Sequence, residues 1–228
     1  MNRIIKSIIL PALLLAPFFA LTSCNDTYNE NDVVWSAFAT LNSYDATSSS
    51  YTVTPTDENK TFTVTAATGL KDSSLKVGDR CYIQYINDNK DNPYISGPVQ
   101  LNAVLLVANG SVKTAPLDTI NGFNVARYTL ANVFRTGKYL NFEILAPTQR
   151  YNGYSKFEIY ADEATVSDAI PQLYVDFEIF MPGVSDNSNL GSFDISSIWD
   201  LPTCQGINLH IGARSQEFKK SNYIRPAE

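Results

Sequence analysis

The chain has 228 residues, 17 of them basic and 23 acidic, for a formal net charge of -6. Only 18% of the residues are charged, against roughly 25% in an ordinary soluble domain, while 44% are hydrophobic and 12% aromatic. This composition excludes a disordered, collagen-like or coiled-coil chain and supports one large or two small packed cores. It also argues against nucleic-acid binding, because an acidic surface repels a polyphosphate strand.

At the start, Arg3 and Lys6 precede an uncharged, mostly apolar run from Ile8 to Leu21 that contains Pro11 and Pro17. Such a run has signal-peptide length and is too short to span a bilayer comfortably. It ends in Leu21-Thr22-Ser23-Cys24, which resembles the lipobox of bacterial lipoproteins, where cleavage precedes the cysteine and its sulfur receives a diacylglycerol. Residues 1–23 are therefore expected to be a lipoprotein signal peptide and Cys24 the lipidated residue; the alternative is an ordinary signal peptide that ends near a cysteine. More than one acyl chain gives a stable anchor, so the membrane is the first expected partner. The polar, acidic residues 24–32 read as a flexible tether.

From residue 61 onward period-two patterns dominate, and two further strands precede them. Val33 to Leu41 and Tyr51 to Thr54 read as strands around a Ser/Thr-rich loop. Thr61 to Thr65, Cys81 to Ile86 and Val99 to Leu106 follow, the last two entered through Val77-Gly78-Asp79 and Ser96-Gly97-Pro98. Five short strands are the number of a small Greek-key barrel. The stretch from Asn109 to Asn124, containing Pro, Gly and Asn, interrupts the alternation and divides the expected barrel domain, residues 33–120, from a second domain, residues 121–228.

In the second domain Leu140, Phe142 and Ile144 alternate with Asn141 and Glu143, and Phe157 and Ile159 flank Glu158. Leu173, Val175, Phe177, Ile179 and Met181 face away from Tyr174, Asp176, Glu178 and Phe180. Phe193 and Ile195 flank Asp194, and Ile207, Leu209 and Ile211 alternate with Asn208 and His210. One apolar and one wetter face per strand, with turns at Asn152-Gly153, Pro182-Gly183 and Asn189-Leu190-Gly191, fit an antiparallel β-sandwich. Asp162 to Ile170 holds one short helix or a loop.

Little reactive chemistry is legible. With Cys24 acylated, Cys81 and Cys204 remain; they are either a disulfide or two buried thiols. Neither a CxxC nor a His-rich spacing is present, so no metal and no cofactor is expected. His210 is the only histidine and no GxSxG elbow accompanies it, which leaves a hydrolase as a minor alternative. Glu143, Glu158, Asp176, Glu178 and Asp194 fall on wet faces, where acids discourage edge pairing; a glycosidase pair or a calcium site is the functional counter-reading. Tyr44, Tyr51, Tyr94, Tyr151 and Tyr154 lie in or near predicted loops, where Tyr94, Tyr151 and Tyr154 are candidate ligand contacts and edge packing is the alternative. Asp118-Thr119-Ile120 resembles the Asp-Ser/Thr-apolar acceptor of O-glycosylation in Bacteroidota, making Thr119 a candidate modification site.

Further segments carry a family resemblance. Leu75-Lys76-Val77-Gly78-Asp79-Arg80-Cys81-Tyr82-Ile83-Gln84-Tyr85 and Val99-Gln100-Leu101-Asn102-Ala103-Val104 resemble the N-terminal half of the NigD-like lipoproteins of Bacteroidota. Tyr139-Leu140-Asn141-Phe142-Glu143, Ser192-Phe193-Asp194-Ile195-Ser196-Ser197 and Gly206-Ile207-Asn208-Leu209-His210-Ile211 resemble strands of their second half. Asp57-Glu58-Asn59 departs from the Asp-Asp-Gly usual in the first hairpin. The resemblance implies an all-β chain, an OB-like barrel followed by an antiparallel sandwich, with no catalytic residues to carry over. It implies an outer-membrane lipoprotein, facing the periplasm or the cell surface, that binds or shields in an immunity-type accessory role. Partners are then envelope proteins or glycans, with a glycan-binding surface lipoprotein as the alternative function.

Overall fold

Alternating apolar and polar residues, broken by Gly, Pro and Asn, turn nearly every element among the described residues into a strand. A computed structural model describes residues 33–47, 50–55, 62–66, 75–87, 99–120, 122–124, 127–148 and 155–223, and residues 32–228 form one compact unit. Strands β1 (Val33–Asp45), β2 (Ser50–Pro55), β3 (Phe62–Ala66), β4 (Arg80–Asn87) and β5 (Val99–Leu106) close a barrel in the order β1-β2-β3-β5-β4. The β3–β5 pairing is parallel and the others antiparallel, the crossover of a five-stranded Greek-key, OB-like barrel. Its interior is filled by alternate residues, among them Leu41, Tyr51, Val53, Ile83, Tyr85 and Leu101.

The remaining strands are β6 (Ala108–Ser111), β7 (Lys113–Ala115), β8 (Phe123–Asn124), β9 (Thr129–Thr136), β10 (Tyr139–Thr148), β11 (Ser155–Asp162), β12 (Gln172–Ile179), β13 (Pro182–Asp194), β14 (Gly206–Ile211) and β15 (Arg214–Lys219). They form a four-stranded sheet, β6-β13-β10-β9, and a six-stranded sheet, β15-β14-β12-β11-β7 with β8 beside β12. Phe142, Phe157, Phe177 and Phe193 meet between the sheets, mostly edge to face at 5.1–6.0 Å.

The structure departs from the sequence reading in several places, each with a local cause. The long ladders are antiparallel, but β6–β13, β7–β11, β8–β12 and β12–β14 are parallel. Three of the four recruit strands of two to four residues that join through backbone bonds and show no alternation. Because β6 and β7 pair with sandwich strands, the barrel strands end at Leu106, ahead of the boundary read at residues 120 and 121. Asn189-Leu190-Gly191 is not a turn but part of β13, opposite Ile144, Glu143 and Phe142. Of the two alternatives for Asp162 to Ile170 the loop holds: Asp162 ends β11, residues 163–170 are turns and bends, and the one-turn helix α1 (Ser196–Trp199) lies elsewhere. Strands β9 and β15 escape the hydrophobic pattern because they are mostly half-buried or exposed. The signal that could have found them is a two-residue hairpin led by glycine. Gly137 and Gly212 adopt φ of +52° and +58°, a conformation suited to the tight turns before β10 and β15.

Barrel and sandwich share a buried joint. Strand alternation points Phe38, Arg80 and Tyr82 outward from the barrel, yet Phe38 and Arg80 are buried because the outer face of the four-stranded sheet covers them. Phe38 packs with Val107 and Leu190 and meets Tyr82 and Phe134 edge to face at 5.2 and 5.9 Å. Beside this patch the Arg80 guanidinium donates to Ser192 Oγ (2.9 Å), Thr40 Oγ1 (3.0 Å) and Asn141 Oδ1 (3.5 Å) and lies 4.0 Å from the centre of the Tyr139 ring. Ser192 Oγ donates to Asn141 Oδ1, and Asn141 Nδ2 to Thr136 Oγ1, both at 2.7 Å. Asn141, expected on a wet face, is therefore fully buried.

Candidate functional site

Cys24, Tyr94, Tyr151 and Tyr154 lie outside the described residues. The Cys81–Cys204 bridge is not formed. Cys81 belongs to the barrel core and Cys204 to the sandwich core, each a free, buried thiol donating to a backbone carbonyl, of Ala39 and Gly206 respectively. Tyr44 and Tyr51 sit near the end of β1 and the start of β2, their ring centroids 4.6 Å apart, with Tyr51 inside the barrel. Thr119 is exposed at the end of a single 3-10 turn, Leu117–Thr119, its hydroxyl donating to the Pro116 carbonyl at 2.7 Å.

The outer face of the six-stranded sheet gathers the polar residues singled out in the sequence. Register sets His210 beside Tyr174, and Tyr174 beside Tyr160. The imidazole stacks on Tyr174, centroids 4.5 Å apart and planes 10° from parallel. With Nε2 protonated, His210 donates to Gln172 Oε1 at 2.8 Å, and Asn208 Nδ2 donates to the same oxygen at 2.9 Å. Burial lowers the histidine below its ordinary value, so the ring is neutral at neutral pH. The Gln172 amide thus occupies Nε2, the nitrogen that a Ser-His-Asp arrangement turns toward its serine hydroxyl.

Next to this stack, Glu158 and Asp176 face each other across β11 and β12. Lys156 Nζ lies between them, 2.6 Å from Asp176 Oδ2 and 3.5 Å from Glu158 Oε2. Lys113 also pairs with Glu158, and the Tyr160 hydroxyl donates to it at 2.7 Å. Burial alone would raise Glu158, but the bonds from Lys113 and Tyr160 and the charges of both lysines hold it below the ordinary carboxylate range. A glycosidase needs one carboxyl with a raised pKa as its acid, and Glu158 is shifted the opposite way. Asp176, expected on a wet face, is 2% exposed, with Oδ1 lacking a hydrogen-bond partner. Glu143 accepts from Ser188, while Asp194 is held by Lys138 and Ser196. Among the described residues no three His, Cys, Asp or Glu side chains converge as a metal site would require.

A second surface was missed by the sequence reading. At one end of the sandwich the chain crosses from β12 to β13 through Phe180 and Met181, which are 58% and 42% exposed. Pro182 then pairs with Thr148, but the next pair is Asn187 with Ala146. Gly183 to Asp186 are thus set against the single residue Pro147, which has no N–H to give the ladder, and they bulge from the sheet. Val184, within this bulge, is 99% exposed. Its base is braced: Asn187 Nδ2 donates to the carbonyls of Thr148 (2.5 Å) and Ser185 (3.2 Å), and Arg127 pairs with Asp186 at 2.8 Å. The uncharged run Ile179 to Ser185 was the available signal, but its apolar residues were assigned to strand alternation.

No protein-family model and no curated protein sequence matches the chain. Among solved structures it is similar to a protein of unknown function, DUF1344, from Bacteroides vulgatus, with a TM-score of 0.56 at 12% identity over 82% of this chain and 90% of that one. It is similar to a NigD-like immunity protein from Bacteroides caccae, at 0.51 and 14% over 86% and 95% of the two chains. It is also similar to a candidate lipoprotein from Bacteroides fragilis, at 0.51 and 12% over 82% and 98%. The chain therefore shares its all-β fold with these proteins over most of their length, and the resemblance read from short strand motifs holds at the level of fold.

Proposed function

We propose that the chain is a lipid-anchored cell-envelope protein of the NigD-like kind, non-catalytic, that works as a binding or shielding module at the outer membrane. One observation carries this reading: a lipobox-like sequence, Leu21-Thr22-Ser23-Cys24, precedes a fold shared with a candidate lipoprotein and a NigD-like immunity protein. The non-catalytic part is supported by an amide-held histidine and by carboxylates matched to lysines. The description of the Bacteroides caccae protein favours an immunity-type accessory role, with another envelope protein as partner. Acidity continues to oppose a nucleic-acid partner.

The test is mass spectrometry of the protein purified from membranes, with cell fractionation of Cys24→Ala. The expected result is a diacylglyceryl thioether and an added acyl chain on Cys24 in the membrane fraction, and loss of that fraction in the variant. An unmodified sulfur in membrane-purified protein overturns the reading. Protease shaving of intact cells then reports which way the anchor faces.

A further inference from the structure

We propose that the β12–β13 crossover is a membrane-contacting tip: Phe180, Met181 and Val184 enter the apolar boundary of the bilayer to which Cys24 anchors the chain. The proposal rests on the anchored reading above and adds a second, side-chain contact to it.

Apolar side chains exposed singly are ordinary, but several gathered on one protrusion mark a contact surface. Here three large apolar residues, 58%, 42% and 99% exposed, fall within five positions. No charged residue occurs from Ile179 to Ser185. The surface is a built protrusion: Pro147 cannot sustain the ladder, residues 183–186 are extruded opposite it, and Asn187 and the Arg127–Asp186 pair hold the base. Bulges of this kind re-aim side chains and recur beside functional sites.

Its shape chooses the occupant. A projecting tip needs a matching cavity to bind a protein, whereas a bilayer accepts a convex apolar group without one. Phe, Met and Val offer buried apolar area and no side-chain hydrogen bonds, which suits the boundary between headgroups and acyl chains. The sequence places nine residues from Cys24 to Asp32, at most about 30 Å of extended chain. Anchoring of the same chain in that bilayer makes a contact by the tip intramolecular, so a weak insertion is populated through effective concentration.

The experiment uses the full, processed protein purified from membranes and reconstituted in phosphatidylethanolamine–phosphatidylglycerol vesicles with brominated acyl chains. Val184→Trp is compared with Val77→Trp, a control at a barrel turn residue that is 68% exposed, after subtraction of the signal from native Trp35 and Trp199. An indole about 5–10 Å inside the boundary lies within reach of bromine, so the emission added by Val184→Trp should be quenched at least about twofold more than that added by Val77→Trp. Equal quenching at the two sites overturns the proposal. So does shielding of the 184 position from aqueous acrylamide without bromine quenching, which would instead mark a protein contact. The mass of the same sample separates the two readings: acylated Cys24 with no excess quenching defeats the tip alone, and unmodified Cys24 defeats the anchor on which it depends.

Discussion

Cys81 has no exposed surface, and burial drives its thiol up to about 12, with Arg80 pulling the other way and Asp79 adding to the rise. Thiolate is the reactive form, so this cysteine is inert at neutral pH. Cys204 is buried too, and its thiol donates to the Gly206 carbonyl. Native protein treated with iodoacetamide at pH 8 should therefore show no adduct on Cys81 or Cys204 by intact mass, and one on each after denaturation. Labelling of Cys81 in the folded protein would contradict its placement. The sequence held both alternatives, bridge or buried thiols, because two cysteines so far apart meet only if strand pairing brings them into one core. Strand alternation could show that Cys81 shares a face with Ile83, but not that this face closes into a barrel of its own.

At the scale of elements, Gly191 shows why a glycine was misread. A glycine among Asn and Ser suggests a turn, and the same residue also serves where a strand must approach packed rings. In β13 a Cβ at position 191 would fall 2.7 Å from Phe157 Cε1 and 2.8 Å from Phe193 Cε2. Those rings are locked in the four-phenylalanine cluster and have little room to yield. Gly191→Ala should cost about 1–3 kcal/mol through overpacking and lower the thermal midpoint measured by circular dichroism, without loss of the fold. An unchanged midpoint would mean that the cluster repacks freely. Elements with one apolar face, such as Leu173 to Ile179, were legible because burial on one side imposes period two. Short parallel strands and the exposed edge strand β15 were not, since backbone bonds, not side-chain burial, hold them in place.

At the scale of the whole molecule, the two series of strands were legible, but the joint that packs them into one compact unit was not. Arg80, Asn141 and Ser192 each occupy an outward position on their own strand, where alternation assigns them to solvent; only the packing of one unit on the other buries them. The joint combines a small apolar patch centred on Phe38 with a buried guanidinium satisfied by neutral partners and an aromatic face. Such a contact couples the stability of the barrel to that of the sandwich, so the protein should melt in a single calorimetric transition. Phe38→Ala removes a buried ring at the centre of the patch, a loss of about 3–5 kcal/mol, and should split the melt into two. The same variant also shortens a side chain of barrel strand β1, so barrel stability alone could change. Leu190→Ala attacks the patch from sandwich strand β13 and resolves the ambiguity. If the contact is what couples the two units, both variants separate the transitions; if Leu190→Ala only lowers a single shared midpoint, the coupling does not pass through this patch.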